Sequence, residues 1–314
     1  MSVPPPAVPA FAMPHNGLTY TEEVLERCRG LIQCGIWAGL HVSRFRRWLT
    51  NFRTDLERYF AACILDNLIY RSEQQTVSLI RQLLQRTLVD LTRQDPTPLG
   101  ALPDWLTLLR TDPRGADPRL RLVAVVQRDD PPTKSAYVIA RHMKRYLRIH
   151  ESWIITPWGV KESAAKGTQV FVYIDDFLGT GDQFSEITRI ETLERTFDAT
   201  YSVYAPLAGH VRGVAALRTS HPRLKVAPVE VLTEDYSLFS PESPTFDDGV
   251  NTPKAAESFY DALLAARGIT LYGCDRRGYG GLELAYTFSH AVADNCLPIL
   301  WYAHSTDWQP LLDR

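Results

Sequence analysis

The sequence predicts an α/β fold, a mostly parallel sheet flanked by helices, with an N-terminal helical region before it. Three observations carry this expectation. From residue 120 onward, short runs of β-branched and aromatic residues alternate with amphipathic stretches of helical period, as in a parallel sheet covered on both faces. One run, 170–174, reads Val-Phe-Val-Tyr-Ile and is apolar at every position, as a strand buried on both sides must be. Directly after it come Asp175 and Asp176, then Gly179, Thr180 and Gly181, then a helical spacing at Phe184, Ile187, Ile190 and Leu193. Ligands of such sheets lie beyond the carboxyl ends of the strands. Strand, acid pair, glycine loop and helix therefore mark a binding site.

In chain order, residues 1–18 carry Pro4, Pro5, Pro6, Pro9 and Pro14 and are expected to form a disordered, extended arm. Helix signals begin at Thr19, with Glu22 three residues on as a capping box. Val24, Leu25, Cys28, Leu31 and Ile32 supply that helix's apolar face. A second helical pattern spans 45–68, and Ser72 with Gln75 caps a third that carries Val77, Ile80, Leu84, Leu88 and Leu91. These helices, 19–94, are expected to pack on the core as one cooperative unit with it. Residues 95–119, with five prolines and two glycines, read as a connector holding one short helix near 105–109. The domain at 120–314 then predicts strands at 120–127, 153–156, 170–174, 200–204, 224–231, 269–272, 284–289 and 298–302. Its helices are expected at 135–147, 183–197, 210–219 and 255–266.

Of 314 residues, 45% are hydrophobic and 22% charged, enough for one large domain or two small ones. A net charge of -2 excludes a surface that is basic all over, though not a local patch. Arg44, Arg46 and Arg47 beside Phe45 and Trp48 are one candidate patch for nucleic acid, the alternative being a solvated helix face. Cys28, Cys34, Cys63, Cys274 and Cys296 form no C-x-x-C pair and read as buried free thiols of a reducing cytosol. No apolar run reaches the ~18 residues of a membrane span, and the start lacks a signal-peptide pattern, so a cytoplasmic protein is expected. Zinc-ligand spacing, the P-loop, Gly-x-Gly-x-x-Gly and Gly-x-Ser-x-Gly are all absent.

The chemistry of 174–183 is specific. Glycines let backbone amides turn toward a ligand, and a helix start adds a positive dipole end, so the loop suits a phosphate. Vicinal carboxylates beside it suit a sugar diol or a magnesium ion. A phosphate site next to a diol site describes a ribose 5-phosphate. The stretch from Ile174 to Gly181 resembles the PRPP-binding motif of type I phosphoribosyltransferases, and Asp-Asp-Phe-Leu-Gly-Thr-Gly-Asp-Gln-Phe is closer still to their divergent PRTase-CE branch of bacterial conflict and anti-phage systems. Asn295-x-x-Pro298-x-x-Trp301 resembles the same family, so the likeness runs through most of 19–302. Asp182 and Gln183 depart from the type I pattern, which has a small residue and a Thr or Ser there. A carboxylate so near a phosphate costs affinity unless it turns outward, and Asp182 is expected to do so and to cap the helix.

The resemblance implies an enzyme that transfers at ribose C1′. Asp175 and Asp176 would hold the 2′- and 3′-hydroxyls, with magnesium present directly or through the ligand. Gly179, Thr180, Gly181, Asp182 and Gln183 would cradle the 5-phosphate. Lys134, Ser135 and Ala136, at the helix start after the first strand, would take pyrophosphate. Arg276 and Arg277 in a glycine-rich loop suit phosphate oxygens or are merely solvated, and His290 is either a base or structural. Asn295 is included through its motif. An effector role in a retron-like anti-phage system is implied, with PRPP or another nucleotide as ligand. The alternatives are an inactive nucleotide sensor, or an assembly subunit that docks a retron reverse transcriptase with its msDNA or a DNA-binding partner.

Overall fold

The computed structural model describes residues 10–100, 102, 104–112, 119–246, 248–271, 276–303 and 307–314. The first nine residues of the expected arm, residues 101, 103 and 113–118 of the connector, and Cys274 with Asp275 lie outside them. The chain divides into two units, 74–232 and a second made of 1–73 with 233–314. These boundaries differ from those expected at 94 and 120.

The unit 74–232 contains the parallel sheet. In chain order its elements are β1 (Leu120–Ala124), α1 (Ser135–Leu147), β2 (Ile154–Ile155), α2 (Val160–Ala165), β3 (Val170–Leu178), α3 (Asp182–Glu191), α4 (Glu194–Ala199), β4 (Tyr201–His210), α5 (Val211–Ser220), β5 (Lys225–Val226) and β6 (Glu230–Leu232). The strand order is β2-β1-β3-β4-β5, with β6 also on β4, and every pairing is parallel. All ten residues of β4 are buried, and so are Val170 to Asp176 of β3, so helices cover both faces. One face buries Phe171, Tyr173, Phe184, Ile187, Phe197, Tyr204 and Leu217 together.

Differences from expectation here have local causes. Strand β3 does not stop at Ile174: it continues to Leu178, because β4 is long enough to pair Asp175 with Pro206, Phe177 with Ala208 and Leu178 with Gly209. The acids thus lie inside the strand. The helix expected at 183–197 is broken at Thr192, whose left-handed backbone (φ 50) ends α3. The strand expected at 224–231 is two short pieces with Pro228 between them. Helix α1 fits its expected bounds, with Ala136, Ile139, Met143 and Leu147 on the buried face. The short connector helix is Trp105–Arg110, capped by Asp104, which accepts from the Thr107 amide. The third expected helix is a run from Glu73 to Gln94 with a π-helical segment at Leu83–Thr87.

The second unit joins the two ends of the chain. Its helices are Gly17–Gln33, Val42–Leu49, Asp55–Asp66 and Pro253–Ala266. The first begins before Thr19, so no capping box forms there. The pattern at 45–68 is two helices, and the second starts with a capping box that links Thr54 and Glu57. Phe60 is fully buried among Phe11, Phe239, Phe246, Phe259 and Tyr260. Phe11 therefore fixes a part of the expected arm. Strand Ile69–Arg71 pairs in parallel with Tyr286–Phe288, which pairs antiparallel with Ala291–Val292. This is a separate sheet, so the strand expected at 284–289 does not join the main one. Residues 269–271 form no strand, and 298–302 turns as a 3-10 helix from Pro298, which has no N–H for a ladder.

Trp48 is buried and donates to the Ile299 carbonyl, Phe45 is buried too, and Arg44 pairs with Asp313, so the aromatics of the supposed basic patch belong to the core. Cys28, Cys63 and Cys296 are buried as expected, but Cys34 is exposed. Among the described residues no helix is long and apolar enough to cross a membrane.

Candidate functional site

The sequence-predicted residues 134–136 and 179–183 follow β1 and β3, which are neighbours in the sheet, and Asp175 with Asp176 lies in the carboxyl-terminal half of β3. After β1 the chain makes a turn in which Asp130 accepts from the Gln127 amide at 2.7 Å. Arg128 in that turn grips Glu191 of α3 with two bonds, of 2.9 and 3.1 Å, and lies over the Trp158 ring. The turn then delivers Lys134 to the start of α1, where no side chain caps the free amides. Lys134 Nζ donates to Gln183 Oε1 at 3.4 Å. The two loops that sequence reading treated separately are therefore in contact.

The glycine loop is held from behind. Gly181 has φ +92, a conformation open to glycine at low cost, and a Cβ there would meet Leu217 of α5 at 2.9 Å. Gly213, in the first turn of α5, lets the Gly179 carbonyl come so close that a Cβ on Gly213 would sit 2.1 Å from its oxygen. Helix α5 is thus the seat on which the loop rests. Ser185 of α3 and Glu194 at the start of α4 reach His221, just after α5, with Ser185 Oγ 3.3 Å from Nε2 and Glu194 Oε1 2.6 Å from Nδ1. His221 is buried, with Ser185 and Glu194 beside its two ring nitrogens.

Asp175 and Asp176 are only 4% and 6% exposed. Burial pushes the Asp175 carboxyl well above the usual carboxylate range, and the neighbouring charge of Asp176 pushes it further. Two donors act the other way. The Tyr204 hydroxyl donates to Asp175 Oδ2 at 3.1 Å, and the Asp176 amide donates to Oδ1 at 3.0 Å. Tyr204 comes from β4 and stacks on Phe184 of α3, with ring centroids 4.2 Å apart. One side chain thus links the acid pair to the helix that carries the loop. Among the described residues no group of three or more His, Cys, Asp or Glu side chains could hold a metal. Two adjacent carboxylates still fit magnesium, which keeps several waters and takes its other oxygens from a substrate.

Sequence reading missed Tyr204, Gly213 and the Arg128–Glu191 pair. A glycine in the first turn of a helix was the one available signal, since Gly is unfavourable there without a packing reason. Asp182 is exposed but does not cap α3: the N-cap is Gly181, no side chain caps it, and the Asp182 carboxylate accepts from Thr180 Oγ1 at 2.8 Å.

The remaining candidates lie in the other unit. Arg277 is bonded to Glu257 and, at 2.7 Å, to Asp261, and Arg276 lies 3.9 Å from Asp261. Gly278 is required because its φ is +80 and a Cβ would strike the Asn295 backbone. Asn295 donates to the Tyr279 carbonyl at 2.8 Å, and Trp301 donates to the Cys296 carbonyl at 3.0 Å. His290 stacks on Phe288. Arg276, Arg277, His290 and Asn295 thus each have a contact within their own unit.

One family model, PRTase-CE, matches residues 45–314. The chain belongs to the PRTase-CE family. The match takes in both units and every candidate residue above, so in PRTase-CE the segment 233–314 is part of the family's own fold. No curated protein and no solved structure matches the chain. Membership of PRTase-CE suggests phosphoribosyltransferase-like transfer chemistry.

Proposed function

We propose that this PRTase-CE protein binds PRPP or a related ribose 5-phosphate nucleotide and transfers at ribose C1′ to a nucleotide or base. The observation that supports it best is the contact of Lys134 with Gln183, which brings two anion-suited loops to the same end of the sheet as the buried acid pair. Asp175 and Asp176 hold the 2′- and 3′-hydroxyls, Gly179 to Gln183 take the 5-phosphate, and Lys134 with the first amides of α1 takes the pyrophosphate. The acceptor attacks C1′ as the bond to the pyrophosphate oxygen breaks, and the sugar acquires oxocarbenium character. The protein contributes position and fixed positive charge where negative charge develops. Magnesium, held by the acid pair through the ligand, would supply further charge neutralisation for the leaving pyrophosphate.

The family resemblance extends the proposal to an effector in a retron-like anti-phage system, with a reverse transcriptase or a DNA-binding protein as partner. The neighbouring genes test that part. The activity is tested by incubating the protein with PRPP, magnesium and a mixture of bases and nucleotides, then reading products by mass spectrometry. Pyrophosphate release with a new ribosylated product is expected, and unchanged PRPP with every acceptor contradicts the transfer.

A further inference from the structure

Helix α3 holds the turn after β1 at both ends. In its first turn Gln183 accepts from Lys134 Nζ at 3.4 Å, and at its last residue Glu191 accepts from Arg128 Nε and Nη2 at 2.9 and 3.1 Å. Asp130 closes the turn between these anchors by accepting from the Gln127 amide. Glu191 is badly placed on its own account. It is only 8% exposed, and a carboxylate in the last turn of a helix faces the negative end of the dipole. Arg128 offsets both costs. Its guanidinium also lies 5.2 Å from the centre of the Trp158 ring, and Trp158 packs against Ala124, Val126 and Ala136, on either side of the turn. The plane of Arg128 is thus set by a ring and its edge by a carboxylate, neither of them part of the turn.

We propose that Arg128 and Glu191 are positioning residues for the pyrophosphate half of the site. Their pair holds the turn after β1 in its binding shape before PRPP arrives, so that Lys134 and the first amides of α1 meet the pyrophosphate already ordered. The inference rests on the ribose-phosphate reading above and adds the residues that prepare one of its subsites. The bonding edge of Arg128 is committed to Glu191, so the pair acts through Lys134 and not on the ligand itself. A side chain that must be immobilised on binding weakens affinity roughly two- to tenfold. That is the share of PRPP binding that the pair protects.

The test is calorimetric titration of the full chain, with magnesium, by ribose 5-phosphate and by PRPP, using the wild type, Arg128→Ala, Glu191→Ala and the double variant. The ratio of the two affinities separates the pyrophosphate's share from any general effect on the fold. Each single variant should lose roughly two- to tenfold in PRPP affinity and less than about twofold in ribose 5-phosphate affinity. The double variant should lose no more than either single one, because both remove the same pair. Arg128→Lys, which keeps a charge for Glu191, should recover part of the loss. Should Arg128→Ala fail to fold with Glu191 left unpaired, Glu191→Ala and the double variant carry the comparison. A loss in Arg128→Ala with none in Glu191→Ala would make Arg128 a ligand of the pyrophosphate and overturn the inference. Losses that add in the double variant, equal losses for both ligands, or no loss in any variant would overturn it too, and leave the ribose-phosphate site standing. If the wild type binds neither ligand, the site reading falls together with this inference.

Discussion

Burial of Asp175 inside a strand, with Asp176 as its neighbour, favours the protonated carboxyl in the folded chain. The folded value is raised above the unfolded one of about 3.9. Below that unfolded value both states hold the proton and the group costs nothing. As pH rises toward the folded value, the unfolded chain ionises freely and the folded chain does not, so stability is lost. Asp175→Asn removes this penalty, and its melting temperature should gain on that of the wild type between pH 4 and pH 7. A difference that stays constant across that range would contradict the shift. Tyr204→Phe keeps the stack on Phe184 but removes the donor to Asp175, and should cost about 1 kcal/mol in denaturant unfolding. The acid pair itself was plain in the sequence. Tyr204 was not, because a tyrosine in an apolar run looks like core until the register brings it beside a carboxylate.

The seat that α5 provides for the glycine loop is an element-scale feature, built from absent side chains. Gly213→Ala must push the Gly179 carbonyl away, which should cost about 1–3 kcal/mol by thermal melting and weaken ribose 5-phosphate binding. Full affinity in a folded Gly213→Ala protein would show that the loop does not depend on its seat. Element types were legible where period and composition agreed, as in α1 and β1. Ends were less so. Strand β3 outran its apolar run because β4 offered partners beyond Ile174, and pairing is a tertiary fact. Pro298 ended a strand expected from the apolar Leu-Pro-Ile-Leu-Trp run, since the missing N–H outweighs the hydrophobicity.

At the scale of the molecule, the two chain ends build one unit, 1–73 with 233–314, around the contiguous unit 74–232 in sequence. Nothing local in the sequence announces this, because the pairing of Ile69–Arg71 with Tyr286–Phe288 spans more than two hundred residues. Phe60 packs on Phe239, Phe246 and Tyr260, and Arg267 pairs with Glu57. Loss of residues 1–73 should therefore leave 233–314 without its core. In a chain starting at residue 74, amide hydrogens of 253–266 should exchange without protection. Native-like protection of that helix would show that the C-terminal segment holds its structure without the N-terminal one.

The central claim is that the acid pair and the loops after β1 and β3 form one ribose-phosphate site. Calorimetry of ribose 5-phosphate with magnesium, on the wild type and on the Asp175→Asn, Asp176→Asn double variant, tests it most directly. The account predicts binding to the wild type and none to the double variant, with the variant folded by circular dichroism. Equal affinity in both proteins, or no binding to the wild type, would contradict it.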